Sequence, residues 1–204
     1  MPQLKISHEV PRCLLEPSKE FNDYDYCLPH LLDIDEEYKQ YFIDARDKGR
    51  YVIMDNSLHE LGKAYDSERL LYWINELKPN EFIVPDVWME GHRTAAQAED
   101  MGKALGRVRF VQGLLKLDQM KDISLHLLGC SIPQEFSWYD NHPQIVSIDT
   151  SNPVMAALEK IEYKDHGLDY KPKANMNDHF DVKFKDIDYG SVLYNVNKFR
   201  KING

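Results

Sequence analysis

Residues 145–163 read "IVSIDTSNPVMAALEKIEY". An apolar run ends on Asp149, an Asn-Pro pair follows, and then apolar residues recur at helical spacing. Proline is well tolerated in a first helical turn, where its missing N–H would have no intrahelical partner. The stretch therefore reads as a strand that runs into a helix over 152–163. The same grammar occurs twice earlier: "YVIMDNS" at 51–57 and "FIVPD" at 82–86 each drive apolar residues up against an aspartate. The fold and the function both turn on whether Asp55, Asp86 and Asp149 end three strands independently or share one pocket.

Working outward, strand-like and helix-like runs alternate along the chain. "LKIS" at 4–7 and "YDYCL" at 24–28 are short β candidates. "EEYKQYFIDARDKG" at 36–49 predicts a helix with Tyr38, Tyr41, Phe42 and Ala45 on one face and Gly49 as its stop. "SERLLYWINELKP" at 67–79 predicts another, with Ser67 as cap, Leu70, Leu71, Ile74 and Leu77 as the stripe, and Pro79 as the end. Further expectations are a helix at 93–106, a strand over "RVRFVQG" at 107–113, and a helix within 117–129. The segment 164–188 is polar with few helix signals, and is either a substrate loop or a surface excursion. "YGSVLYNVNKFRK" at 189–201 predicts a closing helix. Strand–helix units of this length argue for a parallel sheet with helical crossovers, either doubly wound or closed as a barrel. We expect an α/β fold, a compact and trimmed or irregular (β/α) TIM-like barrel, as one domain over 1–204. A full barrel usually takes ~250 residues.

The bulk composition narrows the functional classes. The chain has 204 residues, 43% hydrophobic and 29% charged, as in an ordinary globular protein. No apolar run approaches the ~20 residues that span a bilayer, and "MPQLKISHEV" lacks the pattern of a signal peptide. Cys13, Cys27 and Cys130 are odd in number and far apart. They form neither a disulfide framework nor a zinc pattern and suit a reducing, cytoplasmic setting. The formal net charge of −9 disfavours non-specific nucleic-acid binding, which needs Lys and Arg at phosphates. "YKPKANMN" at 170–177 and "KFRK" at 198–201 are the best local basic candidates, and solvated surface is at least as good a reading of each. No dinucleotide or P-loop glycine motif occurs, no histidine pair has metal spacing, and Ser131 lacks a GxSxG elbow. Neither cofactor nor metal is expected.

In both parallel architectures ligands bind at the carboxyl ends of the strands. Asp55, Asp86, Gln112 and Asp149 all fall at such ends. A single one would be read as a helix cap. However, "NSLHELGKAYDS" separates Asp55 from its helix, and "VWMEGHR" follows Asp86, so these are loop-mouth residues. Carboxylates gathered at a barrel mouth can bind a hard cation, perform acid–base chemistry on a glycosidic bond, or accept the N–H edge of a purine-like base. Gln112 favours the last, because an amide both donates and accepts, and Gly113 beside it admits a flat ligand close to the backbone.

This ordered set resembles the tRNA-guanine transglycosylases, most closely their short phage relatives that insert 7-deazaguanine bases into DNA. "MDNSLHELG" stands where the family has an Asp-Ser-Gly-Gly turn, with Asp55 as the match and Asn56-Ser57 in place of Ser-Gly. "FIVPDVW" supplies Asp86 for the base-binding aspartate. "FVQGLLK" supplies Gln112 and Gly113 for a Val-Gln-Gly-Gly strand end. "LLGCSIP" supplies Leu128 and Gly129 for backbone groups that face the base. "VSIDTSNP" supplies Asp149 for the nucleophile. The resemblance runs over about 50–155 in matching order. Both Gly-Gly pairs are broken, the spacings are shorter, and the zinc-binding Cys/His cluster and the tRNA-contacting insertions are missing. These departures favour DNA or a free nucleotide over tRNA.

The resemblance implies a (β/α) barrel that exchanges guanine for a 7-deazaguanine-type base through a covalent sugar adduct on Asp149, in phage DNA modification within a host cytoplasm. Asp55 would act as acid/base, and Asp86, Gln112, Gly113, Leu128 and Gly129 would hold the base. Asn56, Ser57, His59 and Glu60 would line the loop near Asp55. Trp88, Trp138 and Tyr139 are candidate stacking surfaces, with core packing as the competing reading. Two other functions stay open. One is a nucleoside or nucleotide N-glycosidase or transferase on the same scaffold. The other is a nucleotide-binding protein without turnover.

Overall fold

The computed structural model describes residues 4–63, 65–83, 108–109, 111–113, 115–116, 124–129, 135, 138–139, 143–168, 172 and 176–202. Their contacts divide into two compact units. The Asp55 unit comprises Ser7–Val87 and Ala174–Ile187. The Asp149 unit comprises Met1–Ile6, Trp88–Lys173 and Asp188–Gly204. The fold is mixed α/β with two small parallel sheets. A complete TIM barrel is not shown, because the described strands pair as two separate three-stranded sheets.

The first sheet has the order β2 (Asp25–Cys27), β3 (Val52–Met54), β4 (Glu81–Phe82). Both pairings are parallel, with Cys27 opposite Met54 and Met54 opposite Phe82. Val52, Ile53 and Met54 are all buried, as expected where both faces of a parallel strand are covered. Short helices α1 (Leu15–Ser18), α2 (Pro29–Ile34), α4 (Leu58–Leu61) and α7 (Met176–His179) accompany two longer ones. In α3 (Glu36–Asp47) the buried residues are Tyr38, Tyr41, Phe42 and Ala45, the face that the spacing predicts, and Asp35 caps it by accepting the Tyr38 N–H at 2.7 Å. Helix α5 (Ser67–Leu77) departs in two ways. Its cap is Asp66, whose carboxylate accepts the Arg69 N–H at 2.8 Å, rather than Ser67. Its buried stripe is Leu70, Trp73 and Leu77, while Leu71 is 59% exposed. The indole, being the largest apolar group on the helix, takes the core position.

The second sheet has the order β1 (Lys5–Ser7), β6 (Ile145–Asp149), β5 (Leu125–Leu127). Strands β5 and β6 are parallel. Helix α6 (Asn152–Leu158) begins with Pro153 in its first turn, and α8 (Tyr189–Ile202) packs against it. Their core joins Ile6, Leu127, Ile148, Ala156, Tyr163 and Phe199. One expectation fails here. Residues 108–109 and 111–113 are helical, not a strand, and the Leu115 N–H bonds the Val111 carbonyl at 2.9 Å. Val108, Val111 and Leu115 face the core at helical spacing, which overrides the alternation of "RVRF". Of 117–129, Leu125–Leu127 form strand β5, and residues 117–123, where the expected helix would lie, are outside the described residues. The helix expected at 93–106 and residues 84–86 of "EFIVPD" lie outside the described residues. Among the described residues of 164–188 stand α7 and a 3₁₀ turn at Phe184–Asp186.

Candidate active site

In the Asp149 unit the nucleophile candidate ends β6 at the carboxyl side of a parallel strand, with 3% of its surface exposed. It does not cap α6: the capping position is Ser151, and the Asn152 N–H turns instead to Thr150 Oγ1 at 3.3 Å. The carboxylate is aimed across the sheet at β5. Its Oδ1 lies 3.0 Å from His126 Nε2, and the Gly129 N–H donates at 3.2 Å to both Oδ1 and Oδ2. Gly129 adopts a φ of +60°, a left-handed value that a side chain disfavours. On its far side the His126 ring meets Ser147 Oγ at 2.9 Å through Nδ1. Three polar groups, Ser147, His126 and Asp149, therefore form one line across two paired strands.

Local sequence explains half of this line. Ser147 and Asp149 are two residues apart on a strand, so their side chains share a face. Their partner comes from the pairing. Leu125 lies opposite Ile145, but His126 lies opposite Ser147, so an irregularity skips Val146 and brings the imidazole between the two β6 groups. His126 is absent from the expected site. Its only sequence signal is its place in "LHLLG", two residues before Leu128.

In the Asp55 unit the second carboxylate ends β3. Asp55 Oδ1 accepts from the Tyr26 hydroxyl at 3.0 Å and Oδ2 from the Ser57 N–H at 2.9 Å. Asn56 closes an Asx turn by accepting the Leu58 N–H at 3.1 Å. Ser57 is buried with a left-handed φ of 54°, and its Oγ meets His30 Nδ1 at 2.8 Å. His30 Nε2 reaches Asn177 Oδ1 at 3.3 Å, and Asn177 donates to the Glu60 carbonyl at 3.3 Å. Burial pushes the His30 pKa below its ordinary value, with the Asn177 contact and the Asp33 charge acting the other way. Tyr26, His30 and Asn177 are further polar groups around this loop that the sequence alone does not place.

The other expected site residues are placed as follows within each unit. His59 is exposed and Glu60 half-buried on α4. Gln112 is half-buried and Gly113 exposed, both on the helical stretch rather than at a strand end. Leu128 is 37% exposed and Gly129 is engaged by Asp149. Asp86 and Trp88 lie outside the described residues. Tyr139 is buried in the core and its hydroxyl donates to Glu135 at 3.0 Å, while Trp138 packs beside it, so both read as packing. Of the basic candidates, Lys198 pairs with Asp165 at 2.5 Å. A cleft of about 270 Å³ between α3 and α5 is lined by Ile43, Arg46, Tyr72 and Trp73 among others, and no expected site residue lines it. Among the described residues no group of three His, Cys, Asp or Glu side chains can hold a metal, and no helix is long and apolar enough to cross a membrane.

No protein-family model, curated protein or solved structure matches this chain. The functional reading therefore rests on its own residues.

Proposed function

We propose that this chain is a base-exchange glycosyltransferase of the guanine transglycosylase type. It replaces guanine in DNA by a 7-deazaguanine-type base through a covalent sugar adduct on Asp149. The barrel form of the fold, the phage setting and the host-cytoplasmic location belong to the same proposal. The observation that carries it is the state of Asp149. This carboxylate sits at the carboxyl end of a parallel strand, has no capping duty, and is oriented by an imidazole and a backbone N–H. A carboxylate held in one orientation at a strand end is what displacement at an anomeric carbon requires.

In this mechanism Asp149 attacks the anomeric carbon as the base leaves, and Asp55 serves as the acid/base group when the second base arrives. Asp86 and Gln112 would recognise the base edge, and a base within duplex DNA would first be flipped out. The Gly129 N–H orients the nucleophile here, instead of facing the base as the resemblance implies.

The test incubates the protein with guanine-containing DNA and labelled 7-deazaguanine bases. The expected result is base incorporation and a protein–DNA adduct stable to denaturation, with neither formed by Asp149→Asn. Full exchange by Asp149→Asn would remove the assigned nucleophile. Turnover of free nucleosides with no exchange into DNA would replace this reading by the N-glycosidase one.

A further inference from the structure

A carboxylate cannot donate, so the 3.0 Å contact between His126 Nε2 and Asp149 Oδ1 places the imidazole proton on Nε2. On the other side of the ring Nδ1 meets Ser147 Oγ at 2.9 Å, and a hydroxyl can serve as either donor or acceptor there. The carboxylate end of the ring thus fixes a proton on Nε2, and the Ser147 hydroxyl adapts to Nδ1. The His126 and Asp149 side chains are 9% and 4% exposed, so water competes little for these bonds. The Gly129 N–H is shared equally between the two carboxylate oxygens. Oδ1 therefore has two donors, and among the described residues Oδ2 has one.

We propose that His126 is a positioning residue for Asp149. Its Nε2–H, with the far end of the ring held at Ser147, holds Oδ1 so that Oδ2 is the attacking atom. This role rests on the transfer reading above. In the forward step Oδ2 bonds to the anomeric carbon while the carbon–nitrogen bond to the outgoing base breaks, and that electron pair leaves with the base. Oδ1 becomes the ester carbonyl. In the return step a ring nitrogen of the incoming base bonds to the same carbon, the Oδ2–carbon bond breaks, and its pair returns to the carboxylate. The outgoing base takes up one proton and the incoming base releases one, so the exchange balances. Negative charge reappears on Asp149 only in the return step, where the His126 and Gly129 N–H groups already point at it. The same residue types build serine hydrolase triads. Here, however, the serine is buried, and the carboxylate occupies the strand end.

Two readouts test the assignment. The first needs no activity: ¹⁵N NMR of the full chain should show His126 with its proton on Nε2, with ring shifts that move in Asp149→Asn and in Ser147→Ala. A proton on Nδ1, or a ring indifferent to Asp149→Asn, would overturn it. The second is kinetic. His126→Phe should lower kcat for base exchange by about 10²-fold, the scale of one lost donor to a developing charge, with the adduct accumulating and kcat/KM for DNA falling much less than kcat. His126→Gln keeps an N–H and should recover most of the rate. Wild-type kcat in His126→Phe, or covalent labelling of Ser147 by a fluorophosphonate, would also overturn it. If the NMR pattern holds but wild-type protein forms no adduct, the transfer reading fails, and the orientation of Asp149 by His126 stands without that reaction.

Discussion

Tyr163 poses a problem at the scale of one residue. It is 1% exposed, and among the described residues its hydroxyl has no hydrogen-bond partner. Burial pushes its pKa up, because the phenolate would be left unsolvated. The ring packs edge-on to Phe199 at 6.2 Å between centroids, so the aromatic surface stabilises while the oxygen is a liability. Tyr163→Phe should therefore leave stability within about 1 kcal/mol of wild type or raise it, as urea unfolding would show. A loss well above that would mean the hydroxyl has a partner in the folded protein. Asp25 shows the opposite solution. Its buried carboxylate accepts from the Arg50 Nε–H at 2.6 Å and from the Tyr41 hydroxyl at 3.0 Å, so neither oxygen is left unsatisfied.

At the scale of elements, two helix ends share one geometry with different residues. After α3, the Arg50 N–H bonds the Ala45 carbonyl at 3.0 Å and the Gly49 N–H bonds Arg46 at 2.8 Å. After α6, the Ile161 N–H bonds the Ala156 carbonyl at 2.8 Å and the Lys160 N–H bonds Ala157 at 3.0 Å. Both are Schellman endings, which place one residue in the left-handed region. Gly49 fills it at φ 76° and Lys160 at φ 61°. A Cβ on Gly49 would meet nothing within 4 Å, so substitution there costs only conformational energy. Gly49→Ala should lower stability by about 1 kcal/mol and Lys160→Gly should raise it by a similar amount. Thermal melts of the two variants would check both signs. Gly49 was legible as a stop because glycine is the usual residue there. Lys160 was not, because lysine gives no left-handed signal.

At the scale of the molecule, the Asp149 unit gathers residues from both ends of the chain. Arg200 donates to the Ile6 carbonyl at 3.2 Å, and Phe199 shares a core with Ile6 and Ile148. The polar centre of this assembly is Asn195, which is fully buried on α8. It donates to the Pro153 carbonyl at 3.2 Å and the Ile161 carbonyl at 2.8 Å, and accepts the Tyr163 N–H at 2.9 Å. One amide thus satisfies three backbone groups at the start of α6 and the loop after it. Asn195→Leu should cost about 3 kcal/mol, since each abandoned buried group carries its own desolvation penalty. Chemical unfolding would read this as a lower midpoint, and an unchanged midpoint would remove Asn195 from this role.

The sequence by itself determined the elements whose evidence is local. The face of α3, the Pro153 start of α6, the strands at Val52–Met54 and Ile145–Asp149 and the helix at 189–202 all follow from spacing and caps within one turn or one strand. It also put Asp149 at a strand end and Ser147 on the same face, because the period of a strand is two. Choices between near-equal local options went to packing. Asp66 displaced Ser67 as cap, Trp73 displaced Leu71 from the core, and Val108, Val111 and Leu115 turned an apparent strand into helix. The partner strands, the division into two sheets, and the skipped Val146 that sets His126 beside Asp149 belonged to the tertiary structure alone. Pairing joins residues far apart in the chain, such as Asp25 with Val52, Leu125 with Ile145, and β1 with β6. Which face meets which depends on a register that neither strand encodes by itself.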